Sequence, residues 1–197
     1  MLLPIIRSLN KHPIIEGNLN QLTIVQIDAH ADLRDKLNGE KFSHGTVIRR
    51  TLDEGVGKII QIGVRAYSSE EKEIIETDNR IKTWLAKDLI SIDSKISDWN
   101  KMINQIKNLS GPIWLSFDID GLDGILVPAT GTPVPGGLSF WGANQIIQEL
   151  FNGKKSQVIG ADINEISTSN NTNLTEFSAA LIATKIIACH ISNLRNN

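Results

Sequence analysis

The sequence predicts an α/β domain built on a mainly parallel sheet, and three observations carry that expectation. Short β-branched apolar runs recur along the chain, too short for helices and nearly continuous, as strands covered on both faces are. Stretches with helical apolar periodicity lie between them, which implies βαβ units. Acidic residues and histidines cluster directly after the runs, at the carboxyl ends of strands where open parallel sheets form their sites.

The runs are Leu22 to Asp28 (LTIVQID), Lys58 to Val64 (KIIQIGV), Pro112 to Asp118 (PIWLSFD) and Gln157 to Ile163 (QVIGADI), with Ile81 to Leu85 a weaker candidate. Ser94 is expected to cap a helix in which Ile96, Trp99, Ile103 and Ile106 recur at spacings of three and four, ending near Gly111. A second helix is expected over Ser139 to Phe151, with Ile146, Ile147 and Leu150 on one side. A last one starts near Asn173, where Glu176 three residues on makes a capping-box pattern, and continues with Ala179, Ile182 and Ile186 along one face.

A length of 197 residues suits one domain over 1–197, and 41% hydrophobic residues permit a packed core. Lys+Arg number 20 against Asp+Glu 22, a balance without the basic footprint of a nucleic-acid binder or a polybasic membrane patch. The single Cys189 allows no internal disulfide, as a reducing compartment would favour. The apolar start, Met1 to Ile6, is far shorter than the ~20 residues of a membrane span, and no basic stretch precedes it. A cytoplasmic location is therefore expected, with no membrane and no nucleic acid as partner.

The chemistry concentrates in DAHAD, Asp28 to Asp32, and SFDIDGLDG, Ser116 to Gly124. In an extended segment Asp28, His30 and Asp32 alternate and can share one side. Alone, the pattern reads equally as an acidic loop with a solvated histidine. Asp118 and Asp120 repeat the alternation at a second strand end. Together the clusters offer four carboxylates and one imidazole, too many ligands for one small ion. They suit two ions about 3.5–4 Å apart, bridged by carboxylates and sharing a water of lowered pKa. Crowding those carboxylates without metal would be costly. The ligand set suits Mn, Fe, Co or Zn.

The following loop, PATGTPVPGGL from Pro128 to Leu138, is rich in glycine and proline and forms either a rigid ligand wall or a plain turn. Glu165 at the fourth strand end is placed to hold a planar guanidinium by two parallel hydrogen bonds, or to serve as a surface glutamate. His44, expected at the start of a helix, reads as a proton shuttle or as a capping or buried histidine. His12 and His190 have no companions and read as structural, and Cys189 as core.

DAHAD, SHGTVIRR, SFDIDGLD with PATGTPVPGGL, and ADINEI, in this order, resemble the ureohydrolase family of arginases, agmatinases, guanidinobutyrases and formimidoylglutamases. The resemblance implies a three-layer α/β/α fold and two Mn²⁺ ions. It implies that Asp28, His30, Asp32, Asp118 and Asp120 are metal ligands, with Asp28 and Asp118 as bridges. It implies proton transfer by His44 and Asp120, guanidinium binding by Glu165, and a substrate-side role for Thr132. The implied reaction is hydrolysis of a guanidino compound to urea and an amine. His44 to Arg50, Gly55 and Gln61 to Arg65 look most like agmatinases, which makes agmatine the expected substrate and arginine or guanidinobutyrate the alternatives. Arg34 stands where arginases carry a small polar residue at the amino-acid end of the substrate, and is expected to pair with Asp35 or a substrate carboxylate. The family also implies a homo-oligomer.

Two departures bear on these expectations. A Gly-Gly-Asp/Glu-His element that supplies a further metal-binding histidine would fall before Met1, as would the first strands of the family's sheet. An N-terminally truncated chain is therefore expected, with one full site (Asp28, His30, Asp118, Asp120) and one lacking its imidazole (Asp28, Asp32, Asp118). A shortened, inactive metal-binding relative is the alternative. Gly124 stands where the family has proline, which is expected to loosen the metal loop.

Overall fold

The computed structural model describes residues 2–90 and 96–196. Among them a five-stranded parallel sheet forms from β1 (Thr23–Ile27), β2 (Lys58–Val64), β3 (Ile81–Leu85), β4 (Ser110–Asp118) and β5 (Lys155–Asn164). All five expected runs are strands. β4 and β5 each begin two residues earlier than their apolar runs, because Ser110 and Gly111 pair with Lys155 and Ser156 at a solvent-exposed end that carries no apolar signal.

The strand order is β3-β2-β1-β4-β5. The chain winds outward from β1 in one direction and from β4 in the other, so the direction reverses between these two central strands. Such a reversal opens a crevice at the strands' carboxyl ends.

Helices cover both faces. α1 (Leu2–Leu9), α2 (Val47–Asp53) and α3 (Ser69–Thr77) lie on one side, where Leu2, Ile6, Ile48 and Leu52 pack with Ile24, Ile59 and Trp114 of the sheet and Ile74 of α3 adds to the cluster. α4 (Ala86–Ile90), α5 (Ile96–Lys107), α6 (Phe140–Phe151) and α7 (Leu174–Asn196) cover the other, around Val25, Ile27, Ile60, Ile62, Leu115 and Phe117. The alternation along β1, with Ile24 facing one core and Val25 and Ile27 the other, is the period-two consequence of a pleated strand. Each such fully buried side chain contributes about 1.5–3 kcal/mol. The architecture is three-layered, α/β/α.

Ser139 caps α6 by accepting from the Gly142 N–H, as its position before the apolar run predicts. Ser94 lies outside the described residues. The capping box expected at Asn173 does not form: the Leu174 N–H turns to Thr172 Oγ1, and Glu176 Oε2 is buried without a hydrogen-bond partner. Cys189 packs against the second core, and His12 closes its own turn by accepting from the Ile14 N–H. α7 is apolar around most of its circumference. Ala179, Ile182 and Ile186 are buried, whereas Phe177, Leu181, Ile187 and Leu194 are exposed. Its Leu174–Leu194 stretch is, by length and composition, apolar enough to cross a membrane.

Candidate metal centre and substrate cleft

The expected ligands meet at the reversal point. Asp28 leaves the end of β1, Asp118 is the last residue of β4, and Asp120 sits in the 3-10 turn Ile119–Gly121 that follows. Gly121 permits this closeness, since a Cβ there would lie 2.8 Å from Ile27 Cγ2 and 2.9 Å from the Asp28 nitrogen.

The five candidate ligands divide into two groups that share Asp28. One is Asp28, His30 and Asp120; the other is Asp28, Asp32 and Asp118; in each, the potential ligand atoms lie within 4.8 Å of one another. Asp118 falls in the second group. One sequence expectation is corrected. Asp28, His30 and Asp32 do not simply alternate along one extended face, because Asp32 takes a left-handed backbone with φ of +56°. That conformation is uncommon for a residue with a side chain. It is held because the Asp32 carbonyl accepts from the N–H groups of Ile48 and Arg49, both at 3.1 Å, at the start of α2. Glu165 is a second left-handed residue, φ +59°, and its carbonyl accepts from Thr130 Oγ1 at 2.8 Å. Strain of this kind gathers at functional sites.

Hydrogen bonds fix Asp28 on both oxygens. Oδ1 accepts from the His30 N–H at 2.7 Å and Oδ2 from Gln26 Nε2 at 2.6 Å. His30 Nδ1 lies 3.0 Å from Asp120 Oδ2. Burial pushes the Asp28 carboxyl up to about 6. Burial and the neighbouring Asp28 push Asp118 up to about 9, and burial first and then Asp28 lift Asp32 well above the usual carboxylate range. Burial, the largest single influence on Asp120, acts in the same sense, but the hydrogen bond and charge of His30 together with the Ala29 N–H outweigh it, and the net shift is downward. The bond to Asp120, reinforced by Asp28, raises His30 to about 10. The pattern is that of a buried acidic cluster whose charge wants a cation, and divalent ions meet that demand directly. Carboxylates with one imidazole match borderline-hard ions, so the residues present fit a two-ion centre.

The centre floors a cleft of about 480 Å³, a volume suited to a small molecule. Asp28, His30, Asp32, His44, Asp118, Thr132 and Glu165 all line it; Asp120 stands behind His30. His44 is exposed and opens the turn leading into α2, as its sequence position predicts. Thr132 Oγ1 lies 3.5 Å from Asp120 Oδ2. Arg34 does not pair with Asp35: its Nε lies 3.4 Å from Glu71 Oε2, while Asp35 is held by Arg50 at 2.9 Å. Glu71 already accepts from the Leu33 and Ser68 N–H groups, so its buried carboxylate draws Arg34 inward. Gly124 has no positive φ, and a Cβ there would meet Val134 O at an ordinary 3.7 Å, so the backbone at this position would accept a side chain.

Several contributors went unread. Arg65 donates to the carbonyls of Gly63, Asp120, Leu122, Val134 and Pro135, tying the end of β2 to the 119–121 turn and the 128–138 loop. Its place in the GVRAY segment was the available signal. Thr130, Tyr67 and Glu71 also build the cleft or its walls, and only Glu71 carried a signal, the Ser68-x-x-Glu71 capping box. Gln26 sits inside an apolar run and reads as strand, and Asn164 directly follows one.

The sequence matches the Arginase family over residues 1–189. It is 34% identical over 171 residues to an N(1)-aminopropylagmatine ureohydrolase of Synechocystis, covering 87% of this chain and 53% of that protein. To a guanidinobutyrase of Pseudomonas aeruginosa it is 34% identical over 187 residues, with 87% and 53% covered. The agmatine ureohydrolase of Thermoplasma volcanium superposes on all of this chain and 69% of its own, with a TM-score of 0.77 and 25% identity. The chain thus spans about half the length of the curated relatives it matches, 53% in both cases given. With a matched sequence, a shared fold and acidic groups at the reversal point of the sheet, this chain belongs to the arginase family.

Proposed function

We propose that this chain carries the two-ion centre of a manganese-dependent amidinohydrolase that converts a guanidino compound, agmatine foremost, to urea and an amine. The observation that carries the reading is the pair of ligand groups sharing Asp28 at the floor of one cleft, with Glu165 on its wall. Asp28, His30 and Asp120 would hold one ion, and Asp28, Asp32 and Asp118 the other. Two bound ions supply Lewis acidity that makes a water nucleophilic at neutral pH.

The chain's own residues supply the rest. The Glu165 carboxylate accepts two parallel N–H bonds from the guanidinium and presents its carbon toward the floor. Water oxygen bonds to that carbon, the bond from carbon to the substituted nitrogen breaks, and both of the water's protons end on the departing amine, the second of them leaving the oxygen as the urea carbonyl forms. Asp120, beside His30, and His44, at the mouth, are placed to carry those protons. Thr132 bounds the substrate from the loop side. Arg34, its charge paired by Glu71, leaves no net cation at the cleft wall, which suits the ammonium tail of agmatine better than the carboxylate of guanidinobutyrate or arginine. A cytoplasmic homo-oligomer, binding neither membrane nor nucleic acid, completes the reading.

A second reading, metal binding without turnover, is favoured by one observation: the Asp28, Asp32 and Asp118 group contains no imidazole. Urea release from agmatine, guanidinobutyrate and arginine by the Mn²⁺-reconstituted chain separates the two. Urea from agmatine supports the hydrolase. Folded, Mn²⁺-loaded chain that releases none supports the binding module, and formamide from a formimidoyl substrate would move the chemistry to that bond.

A further inference from the structure

A row of polar side chains crosses the whole sheet one step beneath the metal centre. Thr83 of β3 pairs in register with Gln61 of β2, Gln61 with Gln26 of β1, Gln26 with Ser116 of β4, and Ser116 with Asp162 of β5. All share the face that carries Ile24, Ile59 and Trp114, in a layer that is otherwise apolar. Gln26, Gln61 and Ser116 are buried, so each must be satisfied within the protein.

Their hydrogen bonds run toward the centre from both sides. Thr83 Oγ1 donates to Gln61 Oε1 at 2.8 Å, and Gln61 Nε2 donates to Gln26 Oε1 at 2.7 Å. Gln26 Nε2 then donates to Asp28 Oδ2 at 2.6 Å. Gln61 Nε2 also reaches the Ala31 carbonyl at 2.7 Å, between His30 and Asp32. From the other edge, Ser116 Oγ at 3.0 Å and Trp114 Nε1 both donate to the Asp162 carboxylate. Asp162 accepts in turn from Asn164 Nδ2, which also donates to Asp118 Oδ1 at 3.1 Å. Gly160 gives the Trp114 indole its place, since a Cβ there would fall 2.2 Å from the ring.

We infer that Gln26 and Asn164 are positioning residues: each places one carboxamide N–H on a carboxylate of the Asp28, Asp32 and Asp118 group, and the transverse row holds both amides at fixed polarity. The direction of each bond is forced. A carboxylate that holds a cation is ionised and only accepts, so each amide must then turn its NH₂ toward Asp28 or Asp118, and its oxygen or second N–H is committed to the neighbour behind it. One lone-pair direction of each carboxylate is thereby taken, and the remaining ones are left for ions. Neutral amides do this without adding charge to a site that already holds four carboxylates. Partners of this kind typically govern metal affinity by about 10–100-fold.

This inference rests on the metal reading above. The test is Mn²⁺ titration of the full chain, followed by electron paramagnetic resonance, for Gln26→Met and Asn164→Leu. Both substitutions keep volume and delete the donor. Each is expected to weaken Mn²⁺ binding about 10–100-fold, and the Mn²⁺-induced rise in melting temperature should shrink with it. A merely structural role would lower the melting temperature equally with and without metal. Thr83→Val, remote from the ligands, should weaken binding at the low end of that range, about tenfold; it decides the matter if Gln26→Met does not fold. Folded variants with the parent's Mn²⁺ affinity would overturn the inference alone. A parent chain that binds no Mn²⁺ would overturn it together with the metal reading.

Discussion

Replacing Arg65 by methionine removes every donor that joins the end of β2 to the 119–121 turn and the 128–138 loop. Its Nη2 donates to Asp120 O at 2.8 Å, Leu122 O at 3.1 Å and Val134 O at 2.6 Å; Nε and Nη1 take Pro135 and Gly63. The Pro135 contact is exposed, and water can replace it. The three part-buried carbonyls cost about 1–3 kcal/mol each when left unpaired, and partial water access puts the sum near 3–5 kcal/mol. Against a stability of about 5–15 kcal/mol, that is a large fraction. It corresponds to a fall in melting temperature of about 6–20 °C for a domain of this size. Lysine carries charge but projects its donors from one point, so Arg65→Lys is expected to recover about half of the loss. Urea denaturation followed by tryptophan fluorescence measures both. Arg65→Met within about 1 kcal/mol of the parent would refute the view that one guanidinium braces these segments.

Four further outcomes are expected. Metal-free protein should lose stability as pH rises: the folded chain keeps protons on Asp28 to about 6 and on Asp118 to about 9 that the unfolded chain sheds above about 4. His30, held protonated to about 10 chiefly by Asp120, acts in the same sense above about 6.5. Melting of chelator-treated protein at pH 5.5 and 8.5 checks this, and excess Mn²⁺ should reverse the trend by displacing those protons. Asp118→Asn should leave metal-free stability equal or higher, since Asp118 is already protonated at neutral pH, yet cost more than about 100-fold in urea release; retained turnover would remove Asp118 from the centre. His44→Asn should lower kcat by about 10²–10⁴ with Mn²⁺ stoichiometry unchanged. Glu165→Gln should raise KM for agmatine more than it lowers kcat, as steady-state rates at saturating Mn²⁺ would show.

The strands were legible because burial on both faces writes an uninterrupted apolar run, and the ligands were legible because Asp and His cluster where those runs end. α3 was not, since SEEKEIIET offers only Ile74 and Ile75 to the core and is otherwise polar. The left-handed turn at Asp32 was hidden, because it is imposed by the start of α2 fifteen residues downstream and by nothing in DAHAD itself. The pairing of Arg34 was hidden for a similar reason. Its partner, Glu71, is remote in sequence and becomes a neighbour only when α3 folds against the first loop. Gln26 and Asn164 escaped because a single amide inside a strand has no sequence pattern; its meaning appears only when five strands stand in register.

That register has a consequence for how the sheet assembles. Parallel strands of interchangeable valines and isoleucines can slide past one another at little cost. A slip of one residue between β1 and β2 would turn Gln26 or Gln61 into the opposite core, and a slip of two would set Gln26 against Ile59 or Gly63 and part it from Gln61. Either leaves buried carboxamides without partners, at about 1–3 kcal/mol for each group. The polar row therefore acts as a key that admits one alignment of the strands, the one that delivers Asp28 and Asp118 side by side at their ends.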